Sequence, residues 1–271
     1  MNKKEIVVEK DKKLVSLLQD YGFSFADVNK MLRNKDVRVN GKATKENLSV
    51  FEGDEVVFYF SDDMLAKKAD IIYEDDDVYV VYKAAGIESE GEKGLESVLD
   101  GAIAVHRLDR NTEGVMVFAK NQQSALKLES AFKKHLVEKR YVAEVVGRFD
   151  VKEKKFDAFL LKDVQTSYVK IFESKTKGAV PISTIVKTLK AGSESSLVEI
   201  GLVTGKTHQI RAHLAFLGHP IIGDGKYGKN EDNKKFQQSR QKLGCFRLKF
   251  DFVGIEGLNF KTFEQKPKWF V

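Results

Sequence analysis

The sequence predicts an α+β fold, with a small α/β module at the N-terminus and a larger, strand-rich part after it. Residues 12–60 contain two short helical patterns followed by short strands and turns. From residue 71 onward, alternating and continuous apolar runs typical of strands predominate over helical segments. The length of 271 residues allows one large domain, or a large and a small one.

Composition describes an ordinary globular protein with a modest excess of positive charge. Apolar residues make up 42% of the chain, which is enough for a core, and 46 Lys and Arg oppose 40 Asp and Glu. The net charge of +6 suits an anionic partner without requiring one. A single cysteine, Cys245, excludes a disulfide framework and favours a reducing compartment. Because a signal peptide and an apolar run of membrane-spanning length are both missing, we expect a soluble, cytoplasmic protein.

The N-terminal module begins with two helices. Leu14, Leu17 and Leu18 have helical spacing within residues 12–20. Ser24 is a candidate N-cap for a second helix with an apolar inner face. These patterns predict a helical pair that packs through its leucines.

Short strands follow this pair. Val37-Arg38-Val39 alternates in polarity, Asn40-Gly41 is a strong hairpin signal, and residues 51–60 supply a turn and a closing strand. We therefore expect a compact module over residues 1–60, joined by a charged linker at 61–70 to a second domain at 71–271.

The module resembles the S-four-type RNA-binding domain, named after a ribosomal small-subunit protein. The matching residues are Leu14, Leu18, Val28, Leu32, Arg33, Val37, Val39, Asn40, Gly41, Gly53 and Asp54. The resemblance implies that Arg33, Lys35 and Arg38, on or beside the second helix, contact RNA phosphates. The alternative is that this basic face is only solvated.

The most informative stretch of the chain is His106-Arg107-Leu108-Asp109-Arg110-Asn111-Thr112, which precedes Glu113-Gly114 and a buried strand at 115–119. It places a carboxylate between two guanidinium groups, and nearby positive charge favours the ionised form. Such a carboxylate is a nucleophile, a general base or one member of a structural ion pair. From these residues alone the structural ion pair is the more common outcome.

Two further segments carry polar residues on predicted strands and helices. A helix at 121–135 leads into the strand Lys139-Arg140-Tyr141-Val142-Ala143-Glu144-Val145. A strand at 197–203 is followed by Thr204-Gly205-Lys206-Thr207, a helix from His208 to a closing Gly218, and Gly223-Asp224 with Lys226-Tyr227-Gly228. The closing strand is expected at 246–252.

In this order, the three segments resemble the motifs of RluA-type RNA pseudouridine synthases, and the resemblance covers nearly the whole chain. The chain departs from the family pattern at several positions: Ala84 replaces a proline, Asn111 an aspartate, Glu113 a serine, Lys206 an arginine, and Gly244-Cys245 the common His-Ala. Lysine keeps the charge of arginine but lacks the planar fork with which arginine makes two parallel hydrogen bonds.

The resemblance implies a mixed, mainly antiparallel β-sheet catalytic domain with flanking helices. It implies an isomerase that converts a uridine in structured RNA to pseudouridine on a flipped-out base, without a cofactor. Large-subunit ribosomal RNA is the first expectation for the substrate and transfer RNA the second. We expect a monomer, with RNA as its partner and no metal, nucleotide cofactor or membrane.

The resemblance also assigns roles to individual residues. Asp109 would be the nucleophile or base, Arg211 would pair with it, and Tyr141 would stack on the base and serve in proton transfer. RNA contacts in the catalytic domain would come from Arg107, Arg110, Lys206 and His208.

Other interpretations of these residues are weaker. Gly201 and Gly205-Lys206-Thr207 approximate a phosphate-binding loop, but the spacing is one residue too short. His208 and His213 are five residues apart, off the register that would place both on one helix face for a metal. Asp109 with Glu113 could suggest a glycosidase acid pair. The serious alternative is a non-catalytic RNA-binding protein that retains the fold.

Overall fold

The structure is a computed structural model that describes residues 2–21, 23, 25–60, 69–91, 94–163, 166 and 168–270. Its contacts divide the chain into two compact units, Met1–Lys68 and Ala69–Val271. The candidate N-cap Ser24 and most of the expected linker, residues 61–68, lie outside the described residues.

The N-terminal unit packs two helices against a small antiparallel sheet. Its elements are β1 (Asn2–Val7), β2 (Lys12–Lys13), α1 (Leu14–Asp20), α2 (Phe25–Asn34), β3 (Val37–Val39), β4 (Lys42–Ala43), β5 (Ser49–Val50) and β6 (Glu55–Phe60). The main sheet has the order β1-β6-β3-β4, and β2 pairs separately with β5. Leu14, Leu18 and Phe58 are fully buried in a core that belongs to this unit. The predicted helices, the hairpin at Asn40-Gly41 and the closing strand are confirmed.

The C-terminal unit is built on one large sheet. Its elements are β7 (Ala69–Glu74), β8 (Val78–Lys83), β9 (Ile103–Ala104), β10 (Glu113–Ala119), α3 (Gln122–Lys133), β11 (Val137–Val146), β12 (Lys154–Lys162), β13 (Val169–Phe172), β14 (Val180–Ala191), β15 (Ser195–Leu202), α4 (Gln209–Phe216), α5 (Asn230–Lys235), β16 (Leu243–Phe250) and β17 (Thr262–Glu264).

The strand order of this sheet is β13-β12-β14-β15-β11-β16-β10-β8-β7, with β17 beside β16 and β9 beside β10. The pairing of β10 with β16 is parallel, and the other neighbours in the described sheet are antiparallel. The prediction of a mixed, mainly antiparallel sheet with flanking helices is confirmed. Strands β8, β10 and β16 are interior strands of this sheet, and their residues are mostly apolar and buried.

Three strands differ from the sequence predictions. The N-terminal strand β1 is not predicted by the sequence, because its lysines and glutamate are exposed and only its pairing with β6 defines it. Strand β7 begins at Ala69, where it pairs with Lys83, rather than at residue 71. Strand β16 begins at Leu243 rather than at 246, since backbone pairing to both neighbours carries Gly244 and Cys245 into the sheet.

Candidate active site

Three elements of the C-terminal unit bring the expected catalytic side chains to one cavity. Asp109 lies on the turn just before β10, Tyr141 lies in β11, and Arg211 lies in α4. Strand β16 stands between β10 and β11, so the turn and Tyr141 meet near the start of β16. All three side chains line a cavity of about 130 Å³.

The backbone on both sides of Asp109 is fixed by buried polar side chains. The Ser89 hydroxyl donates to the Leu108 carbonyl at 2.9 Å and accepts the Leu108 N–H at 3.0 Å. Lys83, which is fully buried, donates from Nζ to the Arg110 carbonyl at 3.1 Å. Because these hydrogen bonds fix the backbone on both sides of Asp109, its carboxylate projects from a preorganised loop.

Lys83 also fixes the turn that precedes this loop. Its ammonium donates to the carbonyls of Ala84 at 3.2 Å and Ile87 at 2.6 Å, and the Gly86 N–H donates to the Arg110 carbonyl at 2.8 Å. Burial lowers the pKa of Lys83 to about 7. The turn at Ala84, where the family has proline, is thus tied to the Asp109 loop by hydrogen bonds.

Arg211 links two carboxylates. Its Nε and Nη2 donate to Oδ2 and Oδ1 of Asp224 at 2.7 and 2.9 Å, a bidentate fork. Its Nη1 donates to Asp109 Oδ2 at 2.9 Å. The Arg211 side chain is 9% exposed, Asp224 is fully enclosed and Asp109 is 21% exposed. The fork therefore sets the direction in which Arg211 meets Asp109.

Asp224 is stabilised as a carboxylate. Burial opposes its charge, but the hydrogen bonds and positive charge of Arg211, together with the N–H groups of Lys226 and Tyr227, lower its pKa. Those two N–H groups lie 2.8 and 3.1 Å from Oδ1. The same carboxylate thus orients Arg211 and closes the turn that begins at residue 224.

His208 lies next to Asp109 and contacts the Tyr227 hydroxyl. That hydroxyl accepts the N–H of Val169 at 3.1 Å and lies 2.9 Å from His208 Nδ1, so we assign its hydrogen to the bond with Nδ1. The neutral ring then carries its proton on Nε2, the atom 3.8 Å from Asp109 Oδ2. Burial and the charge of Arg211 lower the pKa of His208, although Asp109 opposes them. His208 therefore presents an N–H donor beside the carboxylate.

Tyr141 forms an enclosed part of the cavity wall. It is 5% exposed, and burial raises its pKa well above 10, with further increases from Cys245 and Asp109. Its phenol therefore stays protonated at neutral pH. Cys245 is fully buried, as expected for a small apolar side chain, and burial raises the pKa of its thiol to about 12.

Of the basic residues expected to contact RNA in this unit, Arg107, Lys206 and His208 line this cavity, and Arg110 lines an adjoining cavity that Asp109 also lines. Arg107 is exposed and forms an ion pair with Glu90, and Arg110 donates from Nε to the Gly86 carbonyl at 3.1 Å. Lys206 is exposed and lines the cavity with its neighbours. Their positions at the rim suit contacts with a nucleic-acid backbone.

The other three expected RNA contacts belong to the N-terminal unit. Arg33 is in the last turn of α2, Lys35 follows the helix with a φ of 63°, and Arg38 is in β3. All three side chains are exposed, and none has an ion pair within the described part of the chain. We refer to these three residues together as the basic surface at the end of α2.

The competing interpretations are not supported by the geometry. The Glu113 carboxylate accepts hydrogen bonds from the Tyr82 hydroxyl at 2.7 Å and the Trp269 indole at 2.6 Å, so it serves to join β8 to the C-terminal segment. His213 is buried and lies 3.0 Å from the Thr184 hydroxyl rather than beside His208. The described residues contain no cluster of three or more His, Cys, Asp or Glu suited to a metal ion.

The sequence does not identify several groups that build this site. Asp224, Tyr227 and Lys83 fall within or beside the motifs, but no chemical role follows from their spacing. Gln241 donates to the Thr112 hydroxyl at 2.6 Å from 129 residues away. One signal could have suggested the Arg211 fork. Gly223-Asp224 follows closely on the helix that contains Arg211, so the sequence places a carboxylate near that arginine.

The structure also bears on membrane association. Among the helices of the described chain, none combines the length and the apolar character that crossing a bilayer requires.

Comparison with protein families gives a match across the centre of the chain. Residues 77–216 match the family model described as RNA pseudouridylate synthase. A protein named ribosomal large subunit pseudouridine synthase C from Rickettsia bellii is 34% identical over 235 residues, covering 75% of this chain and 78% of that protein. A protein of the same name from Vibrio cholerae is 32% identical over 256 residues, covering 84% of this chain and 79% of its own.

A solved structure shares the architecture. Human RNA Pseudouridylate Synthase Domain Containing 1 superposes with a TM-score of 0.62 at 25% identity, covering 75% of this chain and 84% of the human chain. The match spans most of both proteins.

Proposed function

The chain belongs to the RNA pseudouridylate synthase family and is an isomerase, and we propose that it converts a uridine of large-subunit ribosomal RNA to pseudouridine. The names of its bacterial relatives support ribosomal RNA over transfer RNA. The observation that carries the proposal is the Asp109 carboxylate, held 2.9 Å from Arg211 in a cavity that Tyr141 also lines.

The reaction requires a base to leave its stack. The C1′–N1 bond of uridine breaks and a C1′–C5 bond forms, while a hydrogen leaves C5 and N1 gains one. Atoms and electrons balance without an oxidant, a reductant or a second substrate. Both reacting atoms of the uracil are inaccessible within a helix, so the nucleotide is flipped into the cavity.

Asp109 acts on the flipped uridine as the nucleophile or base. One of its oxygens, Oδ2, accepts from Arg211, and Oδ1 has no hydrogen-bond partner within the described residues. Arg211 orients the carboxylate, because Arg211 is itself held by two hydrogen bonds to Asp224. One oxygen is therefore positioned and the other is available to the substrate.

Tyr141 and His208 contact the uracil base and take part in proton transfer and hydrogen bonding. Tyr141 packs its ring against the uracil, and its neutral hydroxyl can pass a proton by giving one as it receives another. The Nε2–H of His208 is a donor for an oxygen of the substrate. Arg107, Arg110 and Lys206 hold the RNA backbone at the rim, where their charge adds affinity without reading sequence.

The test is Asp109→Asn, which preserves the size of the side chain and removes its charge. We expect pseudouridine formation in a large-subunit ribosomal RNA transcript to fall well over tenfold, since tenfold corresponds to only about 1.4 kcal/mol of barrier. RNA binding and folding should persist. The matched control is Asp150→Asn, which removes an exposed carboxylate that pairs with Arg148 and should leave turnover unchanged.

The substrate is tested by mapping pseudouridines in total RNA from cells with and without the gene. Loss of a position in large-subunit ribosomal RNA is the expected result, and loss only in transfer RNA would reassign the substrate. If Asp109→Asn retains turnover within tenfold of the parent, the catalytic assignment is wrong. A parent chain that binds RNA but modifies none would instead favour a non-catalytic RNA-binding protein.

A further inference from the structure

A second cavity adjoins the one that contains Asp109. It measures about 360 Å³ and lies between the end of α3, the start of β11 and the turn after β15. Four residues, Arg107, Lys139, Leu202 and Gly205, line both cavities. A strand entering one of them can therefore extend directly into the other.

The charge of this second cavity has one sign. Arg107, Lys133 and Lys139 contribute to its lining, and no carboxylate does. Arg107 is paired with Glu90, but Lys139 has neither a hydrogen bond nor an ion pair among the described residues. Its Nζ lies 5.5 Å from the centre of the Phe132 ring, a cation–π contact. The wall therefore holds an ammonium without an anionic neighbour.

Lys139 is in an environment that disfavours its charge. Burial lowers its pKa, and the contribution from Cys245 that opposes this is smaller. A Cβ built on Gly205 would lie 3.3 Å from Lys139 Nζ, so glycine leaves the ammonium room at the junction of the two cavities. An anionic oxygen in the cavity would supply the missing partner.

His106 lies in the same wall and carries an unpaired donor that is closed to solvent. Its Nε2 accepts the N–H of Val117 at 3.1 Å, and burial lowers its pKa to about 3, so the neutral ring carries its proton on Nδ1. That buried Nδ1 has no hydrogen-bond partner in the described structure. The ring lies against Phe132, with centroids 4.6 Å apart. Buried donors are rarely left unmatched in a complete site.

We propose that the second cavity binds the phosphate and ribose of the RNA nucleotide adjacent to the flipped uridine. This inference rests on the proposed function, because it names where the RNA strand continues once the uridine has entered the catalytic cavity. Lys139 is the principal phosphate contact, Lys133 adds charge at the outer edge, and the His106 ring supports the Phe132 ring from behind. The aromatic face of Phe132 completes an apolar side for the sugar.

The experiment measures binding of an oligouridylate of eight nucleotides to the full chain carrying Asp109→Asn, so that binding is observed without turnover. Lys139→Met removes the charge and keeps the aliphatic stem. We expect binding about tenfold weaker, as for the removal of a hydrogen bond to a charged group. The slope of log affinity against log salt should also shrink by about 0.7, the value for one single-strand phosphate. Lys139→Arg should restore both.

The matched control is Lys134→Met, an exposed lysine at the end of α3 that does not line the cavity. If Lys139→Met and this control give the same affinity and slope, the cavity is not a phosphate site. If Lys139→Met does not fold, the same affinity and salt slope are measured for Lys133→Met, which removes an exposed lysine from the edge of the cavity. A parent chain that does not bind the oligouridylate at low salt would also overturn the proposal. The loss of turnover in Asp109→Asn tests the proposed function separately.

Discussion

At the scale of single residues, the site depends on one guanidinium shared by two carboxylates. Asp224 holds Arg211 by two hydrogen bonds, and Arg211 reaches Asp109 with its remaining nitrogen. We expect Asp224→Asn to cost about 3–5 kcal/mol of unfolding free energy, because it leaves a buried cation without its main partner. Turnover should also fall, since Arg211 is then free to move away from Asp109.

Denaturant unfolding and a turnover assay check this expectation at pH 7, with Asp157→Asn as the exposed control. The folded-state pKa of Asp224 lies below its ordinary value, so its stabilising contribution is complete above pH 4 and is lost as the pH falls through the acid range. The difference between parent and variant should therefore narrow in acid. A difference under 1 kcal/mol at pH 7 would show that the fork is not what fixes Arg211.

The sequence could identify Asp109, Tyr141 and Arg211 as candidates, because each lies in a recognisable motif. It could not identify their partners. The Asp224 fork depends on how α4 faces the following turn, and the tautomer of His208 depends on Tyr227 and on a backbone N–H from β13. Such partners are joined by tertiary structure, and local periodicity carries no information about them.

At the scale of elements, the parallel contact between β10 and β16 positions the Asp109 loop. Gly114 pairs with Cys245 at a φ of 131°, and a Cβ on it would lie 2.2 Å from the Cys245 carbonyl oxygen. We expect Gly114→Ala to destabilise the unit by several kcal/mol, because backbone atoms on both strands must move and the strained φ adds its own cost. Turnover should fall, since the loop leads directly into this contact.

Gly218→Ala is the control for Gly114→Ala. Gly218 also has a positive φ, 87°, but open space surrounds its Cβ position, so about 1 kcal/mol is expected. Comparing the thermal stabilities of the two variants separates two costs of adding a Cβ: the strain of a positive φ, which both positions have, and the clash with a neighbouring strand, which only Gly114 of the two has. Equal losses of stability would mean that the β10–β16 contact is loose enough to adjust.

The element boundaries show what periodicity can and cannot predict. Strands β8 and β10 are predictable because they are continuous apolar runs. The start of β16 is not, since Gly244 is a poor strand residue that is held only by its neighbours on both sides. A Cβ at Gly244 would lie 2.5 Å from the Pro267 ring, so this glycine is set by close packing rather than by a turn.

At the scale of the whole molecule, two units with separate cores divide the proposed work. The N-terminal unit buries Leu14, Leu18 and Phe58 in its own core, and the C-terminal unit contains every residue of the candidate active site. We therefore propose that residues 1–60 add RNA affinity and target choice, while the chemistry belongs to the C-terminal unit. The net charge of +6 lies mostly in the C-terminal unit, which has 33 Lys and Arg against 28 Asp and Glu, whereas residues 1–68 have 13 against 12.

A chain that begins at Ala69, the first residue of β7, should fold, because the large sheet is complete from that strand onward. It should bind RNA more weakly than the full chain. Its salt slope should be smaller by about 0.7–0.9 for each phosphate that the N-terminal unit neutralises in the full chain. Arg33, Lys35 and Arg38 are exposed and without ion pairs in the described residues, so up to three such phosphates are expected.

The full chain with all three changed to Gln is the matched variant and should reproduce the weaker affinity and smaller slope. If both altered chains bind with the parent's affinity and slope, the basic surface at the end of α2 is only solvated, and target choice belongs to the C-terminal unit alone.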